Sequence, residues 1–104
     1  MPRLAFRMQL KPGFETEYRR RHDALWPDLA ELLREKGISD YSIFLDPPTG
    51  ALIGVLKVND TERMDELPAH PVMKKWWAHM KDIMDAHPDD SPVSLPLQEV
   101  FHLD

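Results

Sequence analysis

Asp40–Val58 reads DYSIFLDPPTGALIGVLKV, and the fold is read outward from it. Its first part alternates: Tyr41, Ile43 and Leu45 share one face, Ser42 and Phe44 the other. Alternation at period two predicts a strand over 40–45. Asp46-Pro47-Pro48-Thr49-Gly50 has the composition of a turn. Ala51–Val58 then predicts a second strand, apolar on both faces apart from Lys57. Two strands joined by a short turn make a hairpin in the middle of the chain.

Upstream, Arg3–Leu10 alternates again, with Leu4, Phe6, Met8 and Leu10 on one face and Arg3, Ala5, Arg7 and Gln9 on the other. That is the pattern of a half-buried strand. Pro12-Gly13 turns the chain. A helix is predicted over Phe14–Lys36, stopped by Gly37. Pro27 lies inside it. The proline ring conflicts with the carbonyl of Asp23, so the helix kinks there or restarts. A kink would leave free backbone carbonyls near His22.

Downstream, Asn59-Asp60-Thr61 opens a second helical region, TERMDEL, broken at Pro68 and Pro71 and resuming over Val72–Met84. Met73, Trp76, Trp77, Met80 and Met84 lie on one face of it, and His79 on its polar side. Pro88, Pro92 and Pro96 are spaced too closely for a helix or a central strand. Leu97–Leu103 is read as the last strand. The order is βαββαβ, an α+β ferredoxin-like plan, with residues 1–104 forming a single domain. Such a plan covers one sheet face with helices. Here the strand over 51–58 is apolar on both faces, and Phe44, Val100 and Ala5 add to the uncovered side. A second subunit on that face is the expectation, hence a homodimer.

Composition narrows function. Charged residues make up 30% and hydrophobic residues 42% of 104 residues, the balance of a globular protein. The net charge of -5 argues against a nucleic-acid footprint. Arg19-Arg20-Arg21 is flanked by Glu17 and Asp23 and reads as a solvated face. With no cysteine, disulfide frameworks and thiol catalysis are out, and a reducing cytosol is compatible. No apolar run approaches a membrane span. Arg3 and Arg7 interrupt any leader-like apolar segment, so no signal peptide is expected.

The chemical handle is Tyr18–Leu29, YRRRHDALWPDL. At about 3.6 residues per turn, Tyr18 and His22 share a face with Phe14, Leu25, Leu29 and Leu32. Two roles fit an inward imidazole: a core histidine bonded to a carbonyl, or a general acid–base group titrating near neutral pH. Trp76 and Trp77 carry the same ambiguity. They are core, or they are flat apolar walls for a pyranose, with Tyr18, Tyr41 and His22 as polar partners. No phosphate loop, nucleotide fingerprint, metal motif or serine nucleophile elbow is present. His22, His70, His79, His87 and His102 lack zinc-ligand spacing.

YRRRHDALWPDL, DYSIFLD, the Trp76-Trp77 pair before HMKDIM, and the tail PDDSPVSLPLQEVFHL occur in order. Together they resemble the L-rhamnose mutarotase family from residue 8 to the C-terminus. Asp23, Phe44, His79 and His102 depart from the Asn or Tyr common in that pattern. The resemblance implies a cytoplasmic, dimeric α/β barrel of ferredoxin-like subunits that interconverts the anomers of L-rhamnose without a cofactor or metal. It implies His22 as the catalytic proton donor, and Tyr18, Tyr41, Trp76 and Trp77 as sugar-binding residues. Asp23 would raise the pKa of His22 if its carboxylate came near, and Glu99 is a second acid–base candidate. Two other classes fit the same fold: a small oxygenase or heme-handling enzyme, and a sugar-binding module without turnover.

Overall fold

A computed structural model describes residues 2–104. The elements in order are β1 Arg3–Gln9, α1 Glu15–Asp23, α2 Pro27–Glu35, β2 Ile38–Asp46 and β3 Ala51–Val58. They continue with α3 Thr61–Met64, a 3-10 turn Leu67–Ala69, α4 Pro71–Met80 and β4 Leu95–Leu97. All strand pairs are antiparallel, and the sheet order is β2-β3-β1-β4. This is the ferredoxin-like α+β arrangement expected from the hairpin and its flanks.

Register explains the two faces. Directly paired residues share a face, so Leu56 with Leu4, Leu52 with Met8 and Gly54 with Phe6 form rows on the inner side. Against that side pack Leu29 and Leu32 of α2 and Trp76 and Met80 of α4, all buried with Leu10, Ile83 and Val58. Gly54 matters because the Phe6 ring lies across it: a Cβ there would collide with the Phe6 ring. The outer side pairs Phe44 with Ile53, Arg7 with Leu95, and Val55 with Ala5. No helix covers it. Phe44 is 61% and Leu95 55% exposed.

Four expectations need correcting. The helix read over 14–36 is two helices. Trp26 is extended (φ -61, ψ 128) and caps α2, with Pro27 in its first turn. Proline disfavours a helical residue before it and needs no N–H at the first helical position. The chain therefore restarts rather than kinks. The end assigned at Gly37 holds: Lys36 caps the helix, and Gly37 follows at φ +81.

β2 begins at Ile38, two residues earlier than read. A bulge between Ser39 and Ser42, with Asp40 at φ 52, resets which residues point inward. Thus Ile38 is buried, and Ile43 and Leu45 still face the core side.

The second helical region is shorter than read. Asp60 caps α3, its side chain accepting from the Glu62 N–H. The segment then tightens into the 3-10 turn, and His70 caps α4 by accepting from the Val72 N–H. The helix stops at Met80 instead of Met84. Ile83 and Met84 stay buried, with Met84 bridged to Leu10.

The last strand is Leu95–Leu97, not Leu97–Leu103. It runs antiparallel toward the start of β1, where only Leu4, Arg3 and Pro2 remain beyond the Ala5–Leu97 pair. Residues 98–103 have no ladder left to join. Pro96 is tolerated because β4 is an edge strand. The tail beyond it is exposed, including Val100, Phe101 and Leu103. Arg3 Nη1 holds it at one point, 2.6 Å from His102 Nδ1.

Candidate functional site

α1 sets the site. Glu15 and Glu17 occupy its first turn and Arg20, Arg21 and His22 its last, which complements the helix dipole at both ends. Tyr18 is buried and His22 is half-buried, one turn apart on the inner face. Their rings stack at 4.3 Å with an interplanar angle of 26°. The His22 ring meets the Trp76 indole edge-on, with centroids 5.3 Å apart.

His22 Nδ1 lies 3.1 Å from the Tyr18 carbonyl oxygen. A carbonyl can only accept, so this contact assigns the proton to Nδ1 and leaves Nε2 as the unprotonated nitrogen. The partner is the ordinary carbonyl one turn back, not one freed at the proline break. Burial lowers the pKa of His22 from its ordinary value. The Tyr18 carbonyl and the nearby Asp23 carboxylate both act in the opposite direction without outweighing it. Neutral imidazole is therefore the resting form at neutral pH.

The phenols complete the polar set. Burial raises the pKa of Tyr18, and the proximity of Tyr41 adds to the shift. Desolvation pushes Tyr41 up to about 12, so both remain O–H donors. Tyr41 is 39% exposed, and its ring meets the Phe6 ring edge-on at 6.1 Å. Among the described residues no buried side-chain polar atom is sealed off without a partner.

Two aromatic residues join the cluster that the sequence reading did not place in it. Trp26 contacts Trp76 edge-on at 5.1 Å. His79 lies 5.5 Å from Trp26 and 5.6 Å from Trp76. His79 is exposed, as its polar-side assignment implied, yet its ring borders both indoles. Each had a signal. Trp26 precedes proline, which forces it out of the helix, and His79 stands three residues after Trp76 on one helix.

Trp76 and Trp77 point in different directions. Successive helical residues diverge by about 100°. Trp76 turns into the core beside His22, whereas Trp77 borders a hollow of about 590 Å³ with Pro68, Lys74 and Asp89–Ser91. Glu99 lies in the exposed tail. It lines a cavity of about 640 Å³ with Leu4, Phe6, Met64, Leu97 and Phe101, and His22 does not reach that cavity. Among the described residues no three His, Cys, Asp or Glu side chains gather as metal ligands do. No helix among them is long and apolar enough to cross a membrane.

The sequence matches the family model for L-rhamnose mutarotase over residues 3–103. The chain belongs to the L-rhamnose mutarotase family. A relative from Sinorhizobium fredii, named L-rhamnose mutarotase, is 58% identical over 103 residues, covering 99% of each chain. The crystal structure of an L-rhamnose mutarotase from Formosa agariphila superposes with a TM-score of 0.94 at 46% identity, covering all of both chains. An antibiotic biosynthesis monooxygenase superposes with a TM-score of 0.52 at 14% identity, over 96% of this chain and 99% of the other. That likeness concerns the fold alone. Family membership makes the chain an anomer-interconverting isomerase.

Proposed function

We propose that the chain interconverts the α and β anomers of L-rhamnose by general acid–base ring opening, with His22 moving the protons. The observation that carries this is the anchored imidazole. Nδ1 is tied to the Tyr18 carbonyl at 3.1 Å, and Nε2 is left as a base in an aromatic setting. Nε2 takes the proton of the anomeric hydroxyl, and the imidazolium so formed gives it back to the ring oxygen. The bond between C1 and the ring oxygen breaks as C1 becomes an aldehyde. Rotation about C1–C2 exposes the other carbonyl face, and closure reverses each proton movement. A single imidazole that alternates between base and acid serves both directions.

Trp76 supplies a flat apolar wall for the pyranose C–H face, and Tyr18 and Tyr41 supply hydroxyl donors. Trp77 is included as a binding residue, although it faces the Asp89–Ser91 segment, and its part is separated from that of Trp76 by comparing Trp76→Phe with Trp77→Phe. The reaction as proposed uses no cofactor or metal. We infer that the enzyme works in the cytoplasm as a homodimer joined through the outer sheet face, without nucleic-acid or membrane partners.

Saturation transfer between the anomeric protons of L-rhamnose, with and without protein, tests the activity directly. Exchange accelerated in proportion to enzyme concentration is the expected result. Sugar binding without acceleration would leave a binding module in its place.

A further inference from the structure

We propose that Arg21, through the clamp it forms across to α4, is a positioning residue that sets where the His22 imidazole stands; this rests on the reading of His22 given above. The Arg21 side chain is only 10% exposed, unusual for an arginine on a nine-residue surface helix. Its guanidinium has three partners. Nη1 donates to the His79 carbonyl at 2.6 Å and to Asp82 Oδ1 at 2.9 Å. Nη2 donates to Asp82 Oδ2 at 3.2 Å, making the ion pair bidentate. Nε donates to Glu17 Oε2 at 2.7 Å, and Arg20 grips the same carboxylate at 2.6 Å.

The His79 carbonyl belongs to the last turn of α4, where carbonyls lack helical partners and a cation is favoured. Arg21 therefore caps the helix that carries Trp76. Arg21 and His22 are adjacent on α1, and they meet α4 along two different lines. His22 touches Trp76, and Arg21 holds His79 and Asp82 further along. One contact would leave α1 free to roll about it. Two fix both its roll and its slide.

α1 is short and ends before the Pro27 restart, so tertiary contacts must hold it in place. A displacement of about 1 Å at a catalytic group can cost on the order of 10²-fold in rate. That makes a rigid clamp beside the acid–base residue consequential.

The test uses Arg21→Gln, Arg21→Lys and Asp82→Asn in the full chain, with His22→Ala in parallel. Anomer exchange of L-rhamnose gives kcat and KM, and NMR of the labelled imidazole reports the His22 ring environment. Both are measured well below each variant's melting temperature. Arg21→Gln is expected to lower kcat about tenfold or more with little change in KM, and to move the His22 ring resonances. Arg21→Lys should recover only part of the rate, because an ammonium cannot reproduce the fork. Asp82→Asn should act in the same direction, and the double variant Arg21→Gln/Asp82→Asn should be scarcely worse than Arg21→Gln. If Arg21→Gln fails to fold, Asp82→Asn decides alone. Native kcat with native His22 resonances in the folded variants overturns the proposal, even if their melting temperatures fall. If that happens while His22→Ala loses the rate, only the clamp is lost. If His22→Ala keeps the native rate, the reading of His22 falls and takes the clamp with it.

Discussion

At the scale of single residues, the site turns on one imidazole. The spacing of Tyr18 and His22 placed both on one face, and the structure stacks them. Spacing could not say which nitrogen is free, because that depends on a carbonyl at 3.1 Å. Nor could it weigh Asp23 against burial. The carboxylate does favour the charged ring, but desolvation prevails. His22→Ala is expected to keep the fold and lose about two to four orders of magnitude in exchange rate, with a smaller change in sugar affinity. Saturation transfer on the folded variant checks it, and a native rate would hand the role to Tyr18, Tyr41 or Glu99.

The pH dependence follows from the same ring. With its pKa lowered below the usual value of about 6.5, His22 stays a neutral base through neutral pH. The acid limb of kcat/KM is expected to have its midpoint below about 6.5. On acidification the unfolded chain takes up this proton before the folded one. The stability tied to His22 is therefore complete above about pH 6.5 and is lost as pH falls through the lower folded value. A midpoint above 6.5 for the free enzyme contradicts the burial argument.

At the scale of elements, the decisive event is the break between α1 and α2. Pro27 announced it, but whether the chain would kink or restart depended on what the freed residue could pack against. Trp26 finds Trp76 and His79, which favours a full restart with the indole turned inward. In the sheet, Phe6 lies across Gly54 and edges Tyr41. Gly54→Ala forces that ring aside and is expected to cost about 1–3 kcal/mol. Urea unfolding checks this, and an unchanged midpoint would mean the ring moves without penalty. Because Phe6 supports Tyr41, weaker L-rhamnose binding should accompany the loss.

At the scale of the whole molecule, the outer sheet face presents apolar side chains to solvent. Phe44 and Leu95 stand exposed beside half-buried Ile53 and Val55. Covering a side chain such as Phe44 is worth roughly 1.5–3 kcal/mol. Wild-type protein is expected to sediment as a dimer at micromolar concentration, and Phe44→Asp to shift it toward monomer. A wild-type monomer with a stable fold would count against the sheet-face interface. Retention of the dimer by a folded Phe44→Asp would move the interface elsewhere, with the exposed tail at Val100, Phe101 and Leu103 the next surface to alter.

What the sequence determined by itself is periodic or local. Alternation over 3–10 and 40–45 and an apolar run over 51–58 marked three strands, Gly37 closed a helix, and the apolar outer face was visible in Ile53 and Val55. These follow from repeats of two or about 3.6 residues, which any single chain displays without knowing its neighbours. Only the tertiary structure decided where Pro27 sends Trp26, which residues β4 contributes, and which of Trp76 and Trp77 enters the core. It alone showed that Arg21, one of three consecutive arginines, is largely covered against the carbonyl of His79 and the carboxylate of Asp82. Each of those outcomes depends on a partner dozens of positions away, and pattern along one segment carries no information about what will stand opposite it.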